Sequence, residues 1–269
     1  MVVVLIIVIL LFLAYGLSLM GRSGHKDLPK LHGWKYAHRG LHGNGVPENS
    51  MAAFRLAKEA GYGIELDIHL LADGNLAVIH DAKLDRTTGC SGNIEDLNTE
   101  DLQNYYLEGT EETIPEFRQV LDLFAGEAPL IVELKCVDDN YAALCETACK
   151  MLDSYQGVYC MESFDPRCIR WLCKNRPDII RGQLSQNYMK KPSKAKPLYL
   201  QFLLAFNMLN FLTRPDFIAY QFQSRMTLSN WICRKVWGIQ GVTWTLRTHE
   251  DFDSAVKEGW LPIFEYFKP

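Results

Sequence analysis

Eight short β-rich runs, separated by longer segments with helical periodicity, limit what this chain can fold into more than any other feature. They fall at residues 34–37, 64–68, 130–134, 158–162, 180–184, 217–219, 241–245 and 263–265. Strands and helices that alternate in this way pack as a parallel sheet, and eight such units close into a (β/α)₈ TIM barrel of the α/β class. A doubly wound open sheet is the competing architecture, but no GxGxxG follows an early strand. A further run, "LAVIH" at 76–80, stands outside the count, because too few residues separate it from "IELDIHL" for a parallel crossover. Asp73-Gly74 supplies a hairpin turn instead. A two-residue loop there sets Asp67 opposite His80, on one face with Cβ atoms roughly 5 Å apart.

The barrel is expected over residues 34–269, and a chain of 269 residues with 48% apolar and 22% charged side chains can bury one large core. Residues 82–114 have no strong period and read as an inserted loop or small subdomain ahead of the helix "IPEFRQVLDLF". The apolar stretch from Leu198 to Leu212 is interrupted by Gln201, Asn207 and Asn210. It is too short and too polar to span a bilayer, and reads as a core helix, or else as one leaning toward a bilayer beside the barrel mouth.

The first twenty residues contain no charged side chain. A transmembrane anchor is expected over residues 1–21, its helix from 2 to 20, since about 20 apolar residues cross the roughly 30 Å hydrocarbon layer. A cleaved signal would want a basic segment before the apolar one, and none precedes it. Arg22, Lys26 and Lys30 follow, in a linker over 22–33, which predicts a single-pass protein with its catalytic part in the cytoplasm. Eight cysteines without a CxxC pair fit reduced thiols in that compartment. The net charge of -4 and a pI near 6.0 leave no basic field for nucleic acid.

The charged residues converge once they are set on the barrel. His38 and Arg39 follow the first strand, Glu65 and Asp67 end the second, Glu133 and Lys135 end the third, and Trp244 ends the seventh. His80 and Asp81 reach the same rim through the hairpin. Active sites of barrels are built at these C-terminal strand ends. Glu65 and Asp67, two apart in a strand, point the same way, and Glu133 beside them completes a three-carboxylate set. Such charges repel unless a cation sits between them, and oxygen-only ligands choose a hard ion, Mg²⁺ or Ca²⁺. Each motif alone has a plainer explanation: an ExD is often a solvated edge, an HRG a loop, and Lys135 a surface partner for Glu133.

"AHRG…PENS…AF", "GIELDIHLLADGNLAVIHDAKLDRTT", "IVELK", "ESFDP" and "VTWTL" together resemble the glycerophosphodiester phosphodiesterase family, within the phosphatidylinositol-phospholipase-C-like barrel enzymes. The resemblance runs from about residue 34 to 250. It implies hydrolysis of a glycerophosphodiester to sn-glycerol 3-phosphate and an alcohol with one divalent cation. By matching positions it makes His38 and His80 the acid/base pair, His38 as base. It makes Glu65, Asp67 and Glu133 the metal ligands, Arg39 and Lys135 the phosphate contacts, Trp244 a pocket wall and Glu48 a pocket residue. The nucleophile is water or a glycerol hydroxyl of the substrate. Two departures bear on the alcohol side: "IFEYFKP" stands where a "TD" is usual, and Arg247 where a smaller polar residue is usual. His25, His32, His42, His69 and His249 are expected in loops or on the surface, without a catalytic role. A lysophospholipase D and a non-catalytic membrane-bound binding protein are the alternative functions.

Overall fold

The structure is a computed structural model that describes residues 1–194 and 196–269. Helix α1 (Val2–Ser18) comes first, followed by a 3-10 turn at Leu28–Leu31, β1 (Tyr36–His38), α2 (Met51–Glu59), β2 (Gly63–Leu70) and β3 (Leu76–Val78). A short helix, α3 (Asp85–Thr88), leads to α4 (Phe117–Phe124), β4 (Leu130–Leu134), α5 (Tyr141–Leu152), β5 (Tyr159–Ser163), α6 (Pro166–Asn175) and β6 (Ile180–Ser185). The chain ends with α7 (Leu198–Ala205), α8 (Asn210–Thr213), β7 (Phe217–Gln221), α9 (Leu228–Lys235), β8 (Gln240–Leu246), α10 (His249–Lys257) and β9 (Trp260–Phe264).

Eight of the strands are parallel and closed, in the order β1-β2-β4-β5-β6-β7-β8-β9, with β9 pairing back onto β1. This is the expected TIM barrel. Several helices start where the sequence supplies an N-cap. Ser50, Thr227 and Thr248 each accept a hydrogen bond from the N–H three residues on, and Asp165 caps α6 with Pro166 behind it. Each cap is worth about 1 kcal/mol.

Alternation along the strands sorts side chains into two layers. Ile64, Leu66, Ile68 and Val132 face outward and are buried with Phe54, Phe117 and Phe124 of the helices. Tyr36, Ile131, Cys160, Phe217 and Ile263 fill the lower interior. One strand position pair higher, the inward residues become Glu65, Asp67, Glu133 and Glu162, all buried. Leu28 and Leu31 of the 3-10 turn pack on the lower interior layer, and Arg22 ion-pairs with Asp216 at the foot of β7. The segment expected as a linker is therefore the floor of the barrel.

Three further expectations need correction. β3 does pair antiparallel with β2, but Ile68 faces Val78 and Leu70 faces Leu76. Leu71 N–H donates to the Asn75 carbonyl, so the loop is Ala72-Asp73-Gly74, with Gly74 at φ 84. Three-residue loops of this kind use a left-handed residue, which glycine adopts without strain. The register is thus one residue off the expectation: Asp67 faces Ile79, and His80 lies beyond the end of β3.

The N-terminal helix is also shorter than expected. It has 17 residues, about 25 Å at 1.5 Å per residue, and no helix among the described residues is long and apolar enough to cross a membrane. The apolar run is divided between two environments. Val2–Leu13 stand exposed, whereas Leu19 is buried against Ile218, Ile232, Cys233 and Ile239, and Trp237 Nε1 donates to the Gly16 carbonyl at 2.8 Å.

Finally, the 198–212 stretch is only half core. Leu204 and Ala205 are buried, while Leu198, Tyr199 and Phe202 face out. Residues 82–114 do form a small subdomain, with Leu84, Ile94, Leu102, Leu107 and Ile114 packed on Ala77 and Ile79 of the hairpin.

Candidate active site

The parallel register sets the acids side by side. His38 pairs with Glu65, Asp67 with Glu133, and Glu133 with Glu162. Carboxylate oxygens of Glu65, Asp67 and Glu133 lie within 4.8 Å of one another, so the three expected ligands are brought together. Burial and mutual repulsion push the Glu65 carboxyl well above its ordinary value, and burial raises Glu133 despite Lys135 beside it. Asp67 is also penalised by burial, yet Lys135, His80, Arg39 and a hydrogen bond from Asn49 hold it well below the usual range. Lys135 Nζ bridges Asp67 Oδ1 at 2.9 Å and Glu133 Oε1 at 2.7 Å. Arg39 Nε lies 3.3 Å from Asp67 Oδ2, and its Nη1 donates to Glu48 Oε1 at 2.8 Å.

Glu162 is a fourth acid in this layer. Its Oε2 is buried without a hydrogen-bond partner, and burial with Glu133 and Asp67 nearby raises its pKa well above the ordinary value. Four buried carboxylates thus face two cations, Arg39 and Lys135. Each ion left buried without compensation costs several kcal/mol. An all-oxygen donor set with excess negative charge fits a hard divalent cation.

The PENS block has a separate duty for each residue. Glu48 holds Arg39, Asn49 at φ 52 donates from Nδ2 to Asp67 Oδ2 at 2.8 Å, and Ser50 caps α2. Arg39 itself sits at φ 54, a conformation that costs a non-glycine residue about 1 kcal/mol. That turn aims its N–H at Glu65 Oε2, 3.2 Å away.

Both candidate acid/base histidines are held at Nδ1 by a carboxylate. His38 Nδ1 lies 2.7 Å from Glu265 Oε1, just past β9. Glu265 also meets His42 Nε2 at 3.3 Å and accepts from Arg247 Nε at 2.7 Å. Burial opposes its charge, but these three partners hold the Glu265 carboxyl far below the usual range. An ionised Glu265 only accepts, so His38 carries its proton on Nδ1 and leaves Nε2 as a lone pair, 3.8 Å from Glu65 Oε2. Burial lowers the His38 pKa, which favours that neutral ring. His80 Nδ1 lies 2.6 Å from Asp81 Oδ1. Arg86, from the inserted subdomain, binds Asp81 and also donates to Glu48 Oε1 at 2.6 Å.

Trp244 makes an edge contact with Phe164 at 5.6 Å between ring centres. Phe164 in turn packs on the cluster of Tyr188, Leu204 and Ala205. Every sequence-predicted site residue therefore lies at one rim. His69, expected on the surface, is instead buried in β2, with Nε2 3.2 Å from the His80 carbonyl oxygen and Nδ1 on Glu95. His42 is likewise drawn into the Glu265 cluster. Glu162 has no role in the sequence reading, and Asn49 and Glu265 enter it only as members of the PENS block and of the "IFEYFKP" ending. Alternation along "YCMES" beside "LIVEL" is a signal that finds Glu162; nothing local finds the other two.

Comparison with known proteins places the chain in a family. Residues 38–264 match the model of the glycerophosphoryl diester phosphodiesterase family. A glycerophosphodiester phosphodiesterase of Caldanaerobacter subterraneus is 30% identical over 236 residues, covering 83% of this chain and 89% of that one. One from Bacillus altitudinis is 39% identical over 168 residues, covering 58% and 68%. A rat lysophospholipase D is 36% identical over 117 residues, 39% of this chain and 36% of that one. The barrel superposes on an Oleispira antarctica phosphodiesterase solved with the product sn-glycerol-3-phosphate, with a TM-score of 0.71 at 21% identity, covering 86% of this chain and 92% of that one. With most of its length matched, the chain belongs to the glycerophosphoryl diester phosphodiesterase family and is a phosphoric diester hydrolase.

Proposed function

We propose that the chain hydrolyses glycerophosphodiesters to sn-glycerol 3-phosphate and an alcohol, using a divalent cation, Mg²⁺ or Ca²⁺, held by Glu65, Asp67 and Glu133. The observation that carries this reading is the pair of histidines, each oriented through Nδ1 by its own carboxylate, at the edge of a buried three-acid cluster. When bound, the cation would neutralise the acids and polarise the phosphoryl oxygens. His38 presents the Nε2 lone pair and takes the proton of the attacking hydroxyl, either from water or from a glycerol hydroxyl of the substrate, in which case the alcohol leaves as a cyclic phosphate forms, and water then opens that ring to sn-glycerol 3-phosphate. His80, steered by Asp81, returns a proton to the leaving oxygen. Arg39 and Lys135 sit where a phosphodiester anion can draw on their charge, and such charge-assisted contacts strengthen as the equatorial oxygens gain negative charge. Glu48 keeps Arg39 in place, and Trp244 walls the alcohol side. A binding-only protein has no use for two histidines oriented in this way.

A second reading, lysophospholipase D activity, is favoured by one feature: the Phe164 and Trp244 wall runs into the apolar cluster of Tyr188 and α7. We assign the barrel to a reducing, cytoplasmic compartment, which its eight unpaired thiols support. Its attachment to a membrane surface rests on the exposed apolar face of α1.

The test is release of sn-glycerol 3-phosphate from glycerophosphocholine by the full chain, after EDTA and with Mg²⁺ or Ca²⁺ restored. Release that returns with the ion and is lost in His80→Ala is the expected outcome. Silence with both ions, but turnover of lysophosphatidylcholine micelles, selects the second reading. Silence on both substrates from folded protein rejects the enzyme mechanism.

A further inference from the structure

The connection from β6 to β7 leaves the catalytic rim as a cationic loop and continues as an apolar helix. β6 ends at Ser185, at the same end of the barrel as Glu133 and Glu162. From Gln186 to Arg214 the sequence carries Lys190, Lys191, Lys194, Lys196 and Arg214 with no acidic residue, in a chain whose net charge is -4. Lys190, Lys191 and Lys194 are exposed and form no ion pair among the described residues. In the helix that follows, Leu198 and Tyr199 are 70% and 69% exposed, and Phe202 also faces out.

The loop and the helix form one surface because a buried glutamine joins them. Gln201 of α7 donates from Nε2 to the Ser193 carbonyl at 2.8 Å and to the Lys196 carbonyl, and its Oε1 accepts from Ser193 N at 2.8 Å. Beneath them, Tyr188 packs on Leu204 and Ala205. Met226, just ahead of α9, and Leu228 and Trp231 on α9 are exposed as well. Asn207 Nδ2 donates to Asn230 Oδ1 at 2.7 Å and so fixes α9 against the end of α7.

Large exposed apolar side chains rimmed by lysines are the composition of a surface that lies in a lipid interface. We propose that this face, lysine loop plus the outer sides of α7 and α9, docks the barrel on a lipid surface with anionic headgroups. Charge complementarity selects the occupant. The lysines match an anionic headgroup layer while Leu198, Tyr199, Phe202 and Trp231 enter the acyl boundary. The same face leads to the catalytic rim through Tyr188, Phe164 and Trp244. Its use to present lipid-linked substrates rests on the function proposed above; the docking itself does not.

The test is cosedimentation of the full chain with vesicles of phosphatidylcholine alone and with phosphatidylglycerol mixed in, at moderate salt. Binding tighter on the anionic vesicles by roughly tenfold or more is expected, since each lysine near such a surface contributes severalfold. The triple variant Lys190→Glu, Lys191→Glu, Lys194→Glu loses that preference, although Arg22, Lys26 and Lys30 beside α1 are unchanged. The variant Leu198→Glu, Tyr199→Glu binds both vesicle types more weakly. Equal wild-type binding to the two vesicles overturns the proposal and leaves a protein partner as the occupant of this face. A preference that survives in the triple variant overturns it as well. Turnover of soluble glycerophosphocholine, measured alongside, stays at the wild-type level in both variants. If wild-type protein itself lacks that turnover, the catalytic reading fails while the vesicle result stands.

Discussion

Glu265 serves three partners with two oxygens, and one of them is a candidate base whose tautomer depends on it. Its neighbour in sequence gives no hint of this, because His38 lies 227 residues away. The two departures from the family pattern, Arg247 and the "IFEYFKP" ending, turn out to be one feature: Arg247 Nε donates to the Glu265 carboxylate at 2.7 Å. Glu65, Asp67 and Glu133 are legible in the sequence because strand alternation fixes where they point, and His38 because it follows the first strand directly. Asn49 and Glu265 act through contacts across loops, which no periodicity encodes. We expect Glu265→Gln to lower kcat by about 10- to 100-fold with KM changed less than about twofold, the usual size of an orienting effect on an imidazole. Glu265→Asp should restore part of it. An unchanged kcat in Glu265→Gln would show that His38 needs no such orientation.

At the scale of elements, the inserted subdomain matters for a single side chain. Arg86 leaves α3 and joins Asp81, which orients His80, to Glu48, which holds Arg39. One guanidinium thus links the proposed acid to the proposed phosphate contact. The Arg86→Ala change frees both carboxylates, and kcat should fall about tenfold. Because the Arg86 side chain is 47% exposed, the melting temperature should move by no more than about 2 °C. Arg86→Lys keeps the charge but not the fork, and is expected to recover only part of the loss. A fall in melting temperature that tracks the loss of turnover would reduce Arg86 to a structural strut. The sequence showed that a hairpin follows β2 but misplaced its register by one residue, since a DG pair is compatible with either a two-residue or a three-residue loop. Likewise an uncharged run of twenty residues shows apolarity and not what covers it. Leu19 faces Ile218 and Ile239, a contact that only the closed barrel creates.

For the whole molecule, the acids at the mouth tie stability to pH and, on the proposed reading, to a cation. Glu65, Glu133 and Glu162 are all raised above their ordinary value of 4.5, each chiefly by burial. Folded protein therefore holds protons that the unfolded chain has released, and the slope of stability against pH is negative there. The contribution of these groups is complete below 4.5 and is lost as pH rises through their folded values. Asp67 runs the other way: depressed below its ordinary 3.8, it contributes above that value and loses its contribution on acidification. Above about pH 4.5 Asp67 is ionised in both states and adds no slope, and the lowered His38 alone opposes the three raised glutamates, so protein stripped with EDTA should melt at progressively lower temperature as pH rises above that value. On the proposed reading a divalent ion would bind the deprotonated acids in place of those protons and stabilise the fold by mass action. The rise in melting temperature on adding Mg²⁺ or Ca²⁺ should accordingly grow across the same window, and shrink in Glu65→Gln. Differential scanning calorimetry with and without the ion at several pH values reads this directly. An ion-induced shift that is flat with pH would mean the carboxylates are not where the ion binds, and the proposed chemistry would lose its electrophile.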